Sequence, residues 1–282
     1  MAHMMHDAVK LNRKIYNATA PLYEERHGEI FNPTEQGRIA DSLRSCLASL
    51  VTGAVAPRVL DFGAGTGNLT RQLLSLGATV VAADVSEGCL RELRTSTGRQ
   101  HCLETTVLNG RDLAWADSAS FDLVATYSVL HHVPDYLAAV GEFVRVVKPG
   151  GIIYIDHEVC PSYWEDEPEY SAYSRELAEL QEVKPPPVLP RLPKLFARKG
   201  LWRYLLAAVW LKRNRIADEG DIHVHKHDHI EWAAIREILA PHCQILQERD
   251  YLVCRERQQP APVWERWRDR CADMRLIIAR KN

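Results

Sequence analysis

The sequence lacks the cysteine pattern of a disulfide-bonded domain or a zinc ribbon. Its seven cysteines are scattered, their number is odd, and no two of them form a Cys-x-x-Cys pair. This distribution argues against a disulfide framework and favours a reducing compartment. No N-terminal segment combines a basic start, an apolar run and a small-residue cleavage site. A secretory signal is therefore not predicted, and a cytoplasmic location is expected.

Long apolar runs and an excess of one charge are also missing. The longest apolar stretch, 201–211, is too short to span a bilayer and contains Arg203. The net charge of −2 does not suit a protein whose whole surface binds nucleic acid, so no DNA partner is expected. The 282 residues allow one large domain or two small ones, and 46% of them are apolar.

From residue 58 to residue 157 the sequence alternates short apolar runs with helical patterns. Helices are predicted at 68–76, from Ser86 to about Arg94, and from Pro134 through Val147. This alternation indicates a parallel sheet covered on both faces, whose ligands bind at the carboxyl ends of the strands. Strands are predicted at 58–62, 79–84, 105–109, 121–126 and 152–156, with a final pair at 244–253 and 275–279.

The stretch VLDFGAGTGN at 59–68 places three alternating glycines directly after the first predicted strand. A phosphate-binding P-loop needs a lysine after its last glycine, and a dinucleotide fingerprint needs glycine where Asn68 stands. Asp61, two residues before the first glycine, would repel a pyrophosphate and attract an ammonium or sulfonium group. The stretch therefore predicts a site for adenosine joined to a cation. A turn kept only for tight strand–helix packing is the alternative.

Two more acids follow predicted strands. Asp84 ends the second strand, where a carboxylate can accept hydrogen bonds from both hydroxyls of a ribose. Asp112 follows the third strand and could accept from the exocyclic amine of adenine, with Leu113 against the ring. Asp84 as a helix cap and Asp112 as a turn residue are the structural alternatives.

The ordered set VLDFGAGTGNLT, VVAADVS, LNGRDL, FDLVATYSVLHHVPD and VKPGGIIYID resembles class I S-adenosylmethionine-dependent methyltransferases, in particular their small-molecule, type 11 branch. The resemblance covers 55–157 well and 228–282 loosely. It implies S-adenosylmethionine as the methyl donor and S-adenosylhomocysteine as a product. It also implies an α/β, Rossmann-like, doubly wound sheet of seven strands, mostly parallel with an antiparallel last strand.

The resemblance further assigns cofactor contacts. The glycine stretch would hold the methionine moiety, the end of the second strand the ribose, and the turn after the third strand the adenine. The residues at the exit of the fourth strand could contact the sulfonium or the amino acid end. The predicted cofactor-binding residues are Asp61, Gly63, Ala64, Gly65, Gly67, Asn68, Asp84, Val85, Asp112, Leu113, Tyr127 and Ser128.

Methyl transfer from a sulfonium needs alignment and exclusion of water, and a base only where the acceptor loses a proton. The candidate bases are His131 and His132, where the methyl group should emerge, and His157, just past the fifth strand. Each could instead only pack and bind backbone. Because histidines cluster here, oxygen is preferred as the acceptor atom, with nitrogen and carbon left open.

Candidate acceptor contacts come from both sides of this core. Tyr16 and Tyr23 lie seven residues apart and would share a helical face if a kink at Pro21 permits. His223 and His225 begin an alternating histidine run that would line the pocket, followed by Asp228 as a helix N-cap. No metal site is predicted, because no Cys or Glu is interleaved at metal-site spacing. The predicted acceptor-binding residues are Tyr16, Tyr23, His157, Trp202, His223 and His225.

The signals divide the chain into a helical cap at 1–50, a cofactor-binding core at 51–157, a helical insert at 158–229 and a completion of the core at 230–282. The insert is acidic first, then basic and aromatic over 191–215. A lid over the acceptor site is the preferred interpretation of the insert. Contact of 191–215 with a membrane surface, RNA binding, and simple pairing of acidic with basic helices are the alternatives.

The predicted function is S-adenosylmethionine-dependent methylation of a small hydrophobic or aromatic metabolite. A lipid, quinone or transfer RNA acceptor remains an alternative. So does a cofactor-binding homologue that transfers no methyl group. A homodimer is compatible with each of these functions.

Overall fold

The computed structural model describes residues 2–50, 55–165, 167–182, 209, 220–255 and 262–282. Trp202 lies outside the described residues, as does all of 191–215 except Val209. The acceptor contact of Trp202 and the membrane contact of this segment therefore stay predictions. In the described ranges, every helix is too short or too polar to cross a bilayer.

The centre of the fold is one sheet of seven strands in the spatial order β3-β2-β1-β4-β5-β9-β8. The described residues form nine strands, seven of which belong to this sheet. They are β1 Arg58–Phe62, β2 Thr79–Asp84, β3 Leu103–Val107, β4 Phe121–Tyr127, β5 Val147–Val159, β6 Val224–His225, β7 Asp228–His229, β8 Cys243–Tyr251 and β9 Met274–Lys281. Strands β1 to β5 are parallel, and β9 runs antiparallel to both its neighbours. The predicted doubly wound sheet with an antiparallel last strand is confirmed. Strands β6 and β7 form a separate hairpin.

Helices cover both faces of the sheet. They are α1 Ala2–Thr19, α2 Tyr23–Arg26, α3 Pro33–Ser49, α4 Asn68–Ser75, α5 Glu87–Thr97, α6 Tyr136–Val146, α7 Pro168–Glu182, α8 Trp232–Leu239 and α9 Pro262–Trp267. Helices α6 and α8 pack on one face through Phe143 and Ile235, while α3 and α4 pack on the other through Leu43 and Leu73. Because β1, β2 and β4 are covered on both faces, they are buried along almost their whole length.

Several sequence predictions differ from the structure, among them the fifth strand, which spans Val147–Val159 rather than 152–156. The third strand spans 103–107 rather than 105–109, because Asn109 leaves the sheet and its side chain accepts from the backbone N–H of Arg111 and Asp112. Helix α6 begins after Pro134, with Asp135 accepting from the N–H of Ala138 at 2.9 Å as its N-cap. Asp228 is not an N-cap: it pairs with His225 in the hairpin, and Glu231 precedes α8.

Helix α1 docks across the carboxyl ends of β2 and β3. Asn17 Oδ1 accepts from the N–H of Gly88 at 2.7 Å and from Ser86 Oγ at 2.9 Å, both at the start of α5. Arg13 Nε donates to the carbonyl of Val85 at 3.1 Å, and its Nη2 donates to that of Leu108 at 3.3 Å. A polar side chain of α1 thus satisfies a first-turn N–H that α5 cannot satisfy itself.

Candidate cofactor and acceptor site

A cavity of about 940 Å³, its open mouth included, lies at the carboxyl edge of the sheet. Its wall is mostly apolar, with contributions from Val9, Phe62, Leu108 and Val133. A concave apolar site with a few converging polar groups is typical of small-molecule binding. The predicted site residues that line it are Tyr16, Tyr23, Gly63, Gly65, Asp84, Val85, Asp112, Leu113, Ser128 and His132.

The three glycines of the loop after β1 have different roles. All have positive φ, at 74° for Gly63, 53° for Gly65 and 101° for Gly67. A Cβ on Gly63 would lie 2.4 Å from Val129, and one on Gly67 would lie 2.3 Å from Leu93. A Cβ on Gly65 would meet nothing nearer than 4.0 Å. Packing therefore explains Gly63 and Gly67, whereas Gly65 keeps backbone bare toward the cavity.

Asp84 is held in place by backbone donors. Its Oδ2 accepts from the N–H of Gly65 at 2.8 Å, and its Oδ1 accepts from the N–H of Ser86 at 2.7 Å. Ser86, not Asp84, is the N-cap of α5, since its Oγ accepts from the N–H of Cys89. Burial raises the pKa of Asp84 above its usual value. Each carboxylate oxygen retains a lone pair, and the side chain lines the cavity, as a ribose site requires.

Asp112 and Leu113 form the far wall. Asp112 is exposed, and its Oδ1 accepts from Asn109 Nδ2 at 2.8 Å and from the N–H of Ala114 at 3.2 Å. Its side chain therefore stabilises the turn after β3. The buried Leu113 donates its N–H to Glu142 Oε2 at 3.0 Å. Sequence reasoning missed Glu142, which also lines the cavity. Its pairing with Arg145 three residues later resembles an ordinary surface ion pair on a helix.

Other predicted cofactor contacts lie outside the cavity wall. Asp61 is 2% exposed and accepts from Thr70 Oγ1 at 2.5 Å, and burial raises its pKa to about 7. It thus lies behind the glycine loop, because α4 supplies its hydrogen-bond partner. The predicted attraction of Asp61 for a bound cation stays a prediction. The other predicted contacts absent from the wall are Ala64, Gly67, Asn68 and Tyr127.

His131 is fixed by an acid from the next strand. Its Nδ1 donates to Glu158 Oε2 at 2.7 Å, while Glu158 Oε1 accepts from the N–H groups of Val129 at 2.8 Å and Leu130 at 2.7 Å. A shift in the register of β5 against β9 between Asp156 and Glu158 accompanies this arrangement. Sequence reasoning missed Glu158, because it counted the residue only among the acids of the insert.

His132 is the histidine among the described lining residues of the cavity. Its Nε2 lies 3.0 Å from the hydroxyl of Tyr16, and its Nδ1 lies 3.2 Å from Asp221 Oδ1. Burial and the adjacent His131 lower the pKa of His132 well below 6.5, so the ring is neutral at pH 7. Tyr16 and Tyr23 contact each other, with ring centroids 6.0 Å apart, although α1 ends between them.

The remaining predicted histidines lie away from the cavity. His157 is 6% exposed, stacks on Tyr127 at 4.6 Å, and adopts a φ of 62°. Burial, with the nearby Arg38, lowers its pKa to about 3. His223 is held by Asp228 at 2.5 Å, and His225 is exposed in the hairpin. The alternating histidine run is not one extended segment, because the chain turns back between β6 and β7.

Comparison with known proteins identifies the core. Residues 60–155 match the family described as a methyltransferase domain. These residues form a class I S-adenosylmethionine-dependent methyltransferase domain. A ubiquinone biosynthesis O-methyltransferase of Thiobacillus denitrificans is 35% identical over 100 residues, covering 34% of this chain and 42% of that protein. A demethylmenaquinone methyltransferase of Clavibacter sepedonicus is 41% identical over 108 residues, covering 37% and 44%.

The methyltransferase domain also has structural counterparts. An S-adenosylmethionine-dependent methyltransferase from Mesorhizobium loti superposes with a TM-score of 0.51 at 19% identity, covering 86% of this chain and 99% of that one. This likeness extends over the fold as a whole. The curated relatives, in contrast, are matched over less than half of their own length.

Proposed function

We propose that the protein transfers the methyl group of S-adenosylmethionine to a small hydrophobic or aromatic acceptor, with oxygen as the preferred acceptor atom. The supporting observation is that one cavity gathers Gly65, Asp84, Asp112 and His132. Residues suited to adenosine thus share one enclosed space with a neutral imidazole. The apolar wall of this space favours an uncharged acceptor.

The proposed cofactor contacts follow from the wall of the cavity. Asp84 accepts from the ribose hydroxyls, Leu113 packs on the adenine, and the bare backbone at Gly65 lies against the methionine part. S-adenosylmethionine supplies a methyl group on a sulfonium, which leaves as a neutral thioether. The protein therefore needs no strong acid, and its contribution is alignment.

Helices α1 and α2 act in this proposal as the cap that excludes water. Tyr16 and Tyr23 belong to the cavity wall, and Asn17 anchors the cap on α5. A closed, dry site strengthens electrostatic interactions and prevents hydrolysis. The described start of the insert, with α7, would complete this enclosure over the acceptor.

His132 and His131 are the proposed proton acceptors. His132 touches the cavity, and Glu158 orients the ring of His131. Because burial lowers the basicity of His132, proton removal is easiest from an acidic hydroxyl. A phenol therefore suits the site better than an aliphatic alcohol. A quinone-related acceptor is the second candidate, favoured by the names of the two curated relatives.

The cofactor assignment is tested by Asp84→Asn. Calorimetric titration with S-adenosylhomocysteine should show binding weakened by about 1–3 kcal/mol, roughly 10- to 100-fold, because the amide keeps only one acceptor oxygen and its NH2 group faces a backbone N–H. Asp117→Asn is the matched control, since this exposed acid lies outside the cavity wall. Equal affinity in wild type and Asp84→Asn would refute the ribose site.

The activity itself is tested with isotopically labelled S-adenosylmethionine and a panel of phenols, catechols, hydroquinones and amines. Transfer of label to phenols before amines is expected. Tight cofactor binding without transfer to any acceptor would instead favour a homologue that binds the cofactor and methylates nothing.

A further inference from the structure

Three potential metal ligands converge beside the cofactor cavity. His131, His132 and Asp221 each offer one ligand atom, and these atoms all lie within 4.8 Å of one another. Asp221 Oδ1 is 3.2 Å from Nδ1 of His132 and 4.0 Å from Nε2 of His131. We propose that these three side chains form a binding site for a divalent transition-metal ion such as Zn²⁺. The sequence predicted no metal site, and the cluster lies outside the alternating histidines of 223–229.

One of the three ligand distances already fits a bound ion, and the others need to shorten. Ligand atoms about 2.1 Å from a metal lie roughly 3.0 Å apart in octahedral and about 3.4 Å apart in tetrahedral geometry. The 3.2 Å pair is already within this range. The 4.0 Å pair needs to close by less than about 1 Å, and Asp221 belongs to an irregular segment with a side chain 31% exposed.

Both histidines carry the outer hydrogen bonds that orient metal ligands. His131 Nδ1 donates to Glu158 at 2.7 Å, so the lone pair of this ring is on Nε2, the atom facing Asp221. His132 Nε2 lies 3.0 Å from the hydroxyl of Tyr16, and a proton there leaves the lone pair on Nδ1. Metal-bound histidines typically donate their other nitrogen to a carboxylate or another acceptor in this way.

The ligand set selects the class of metal. Two imidazoles and one carboxylate suit Zn²⁺, Co²⁺ or Fe²⁺, whereas Mg²⁺ and Ca²⁺ prefer sites made of oxygen alone. Three protein ligands leave at least one coordination position open, as in catalytic rather than structural sites. The exposed fractions of 17%, 17% and 31% for His131, His132 and Asp221 keep that position accessible.

The location gives the ion a role that rests on the proposed function. His132 lines the cavity, so an acceptor hydroxyl can reach the open position from inside. With the ion bound, the two imidazoles use their lone pairs as ligands and no longer act as the proton acceptors. Coordination instead lowers the pKa of the hydroxyl, and its proton leaves to solvent. The oxygen lone pair then forms the new C–O bond, while the bond between methyl and sulfur breaks and leaves its electron pair on sulfur. The metal keeps its oxidation state throughout.

Metal binding is tested directly on the full chain after treatment with EDTA. Equilibrium dialysis with Zn²⁺ should find one ion per chain, and Co²⁺ should give visible d–d absorption typical of nitrogen and oxygen ligands. Asp221→Asn should weaken Zn²⁺ binding at least tenfold, with an unchanged circular dichroism spectrum. Asp228→Asn is the matched control, because this exposed acid binds His223 and lies outside the cluster.

Several outcomes would overturn the site. These are the absence of a bound ion, equal loss in the Asp228→Asn control, or an intense sulfur-to-metal charge-transfer band from one of the free cysteines. S-adenosylhomocysteine binding and methyl transfer, measured on the same samples, keep the two proposals apart. Transfer that persists in EDTA removes the metal role alone, whereas Zn²⁺ binding without any transfer removes the proposed activity and leaves the site.

Discussion

The buried carboxylates of Asp84 and Asp156, in two different strands of the sheet, have different kinds of hydrogen-bond donors. Asp84 at the end of β2 receives two backbone N–H groups and faces the cavity. Asp156 in β5 accepts from Arg38 at 3.0 Å and from the hydroxyls of Tyr154 and Tyr251, and it lies away from the cavity wall. Backbone donors in tight turns leave room for a ligand. At Asp156, long side chains from α3, from β5 itself and from β8 occupy that room.

The largest effect is expected where side chains hold the buried charge. Arg38→Met leaves the carboxylates of Asp156 and Glu35 buried without their cation. The free energy of unfolding should fall by about 3–5 kcal/mol, measured by urea denaturation at pH 7. Arg44→Met, on the same helix but paired with Asp41 at the surface, should change it by less than about 1 kcal/mol. Similar losses in both variants would contradict the stabilising role of the buried ion pairs of Arg38.

A smaller loss of stability is expected in the glycine loop after β1, whose Gly65 N–H donates to Asp84. Gly63→Ala introduces a Cβ at positive φ and 2.4 Å from Val129. Gly77→Ala has a similar φ of 86° but meets no atom within 4 Å. We expect thermal or urea unfolding to show a loss of about 1 kcal/mol for Gly77→Ala and at least about 2 kcal/mol for Gly63→Ala. Only the latter should also weaken S-adenosylhomocysteine binding, and equal losses would refute the packing role of Gly63.

Just below neutral pH, where the unfolded chain begins to bind the proton, the smallest effect is expected at His157. His157 is neutral in the folded protein down to a pKa of about 3, while the unfolded chain gains this proton below about pH 6.5. Its contribution to stability is therefore complete above pH 6.5 and is lost as pH falls, by about 1.4 kcal/mol per unit. His157→Asn, which tolerates the positive φ, should flatten the slope between pH 6.5 and 5 by about one proton. His101→Asn should not, and an unchanged slope in both variants would contradict the depressed pKa.

The sequence was sufficient to predict those elements whose bounds are set by residues close by in the chain. The strands at 58–62 and 79–84 are observed with the predicted bounds, because glycines and a final acid delimit their apolar runs. Gly65 and Asp84 could be assigned to a cavity from their position after these strands. The third strand was misplaced because Leu108 continues its apolar pattern beyond Val107, the last paired residue.

Long-range contacts explain what the sequence could not predict. Asn17 satisfies Gly88 on another helix, and Asp221 reaches His132 from a distant segment, so neither contact leaves a local pattern. Asp61 looked like a ligand for a cation, but only the fold shows that Thr70 occupies its oxygen. The paired histidines were recognised as chemically important, whereas the acids that orient them were not.

The register shift in β5 has a consequence for how this chain can vary. Side chains alternate between the two faces of a strand, so one extra residue redirects every side chain after it. In a regular strand Asp156 and Glu158, two positions apart, would share one face. The extra residue puts the carboxylate of Glu158 on the opposite face, where it accepts from the amides of Val129 and Leu130. Substitutions here change the site gradually. If β5 paired with β9 without this shift, the negative charge of Glu158 would lie in the layer that already contains Asp156.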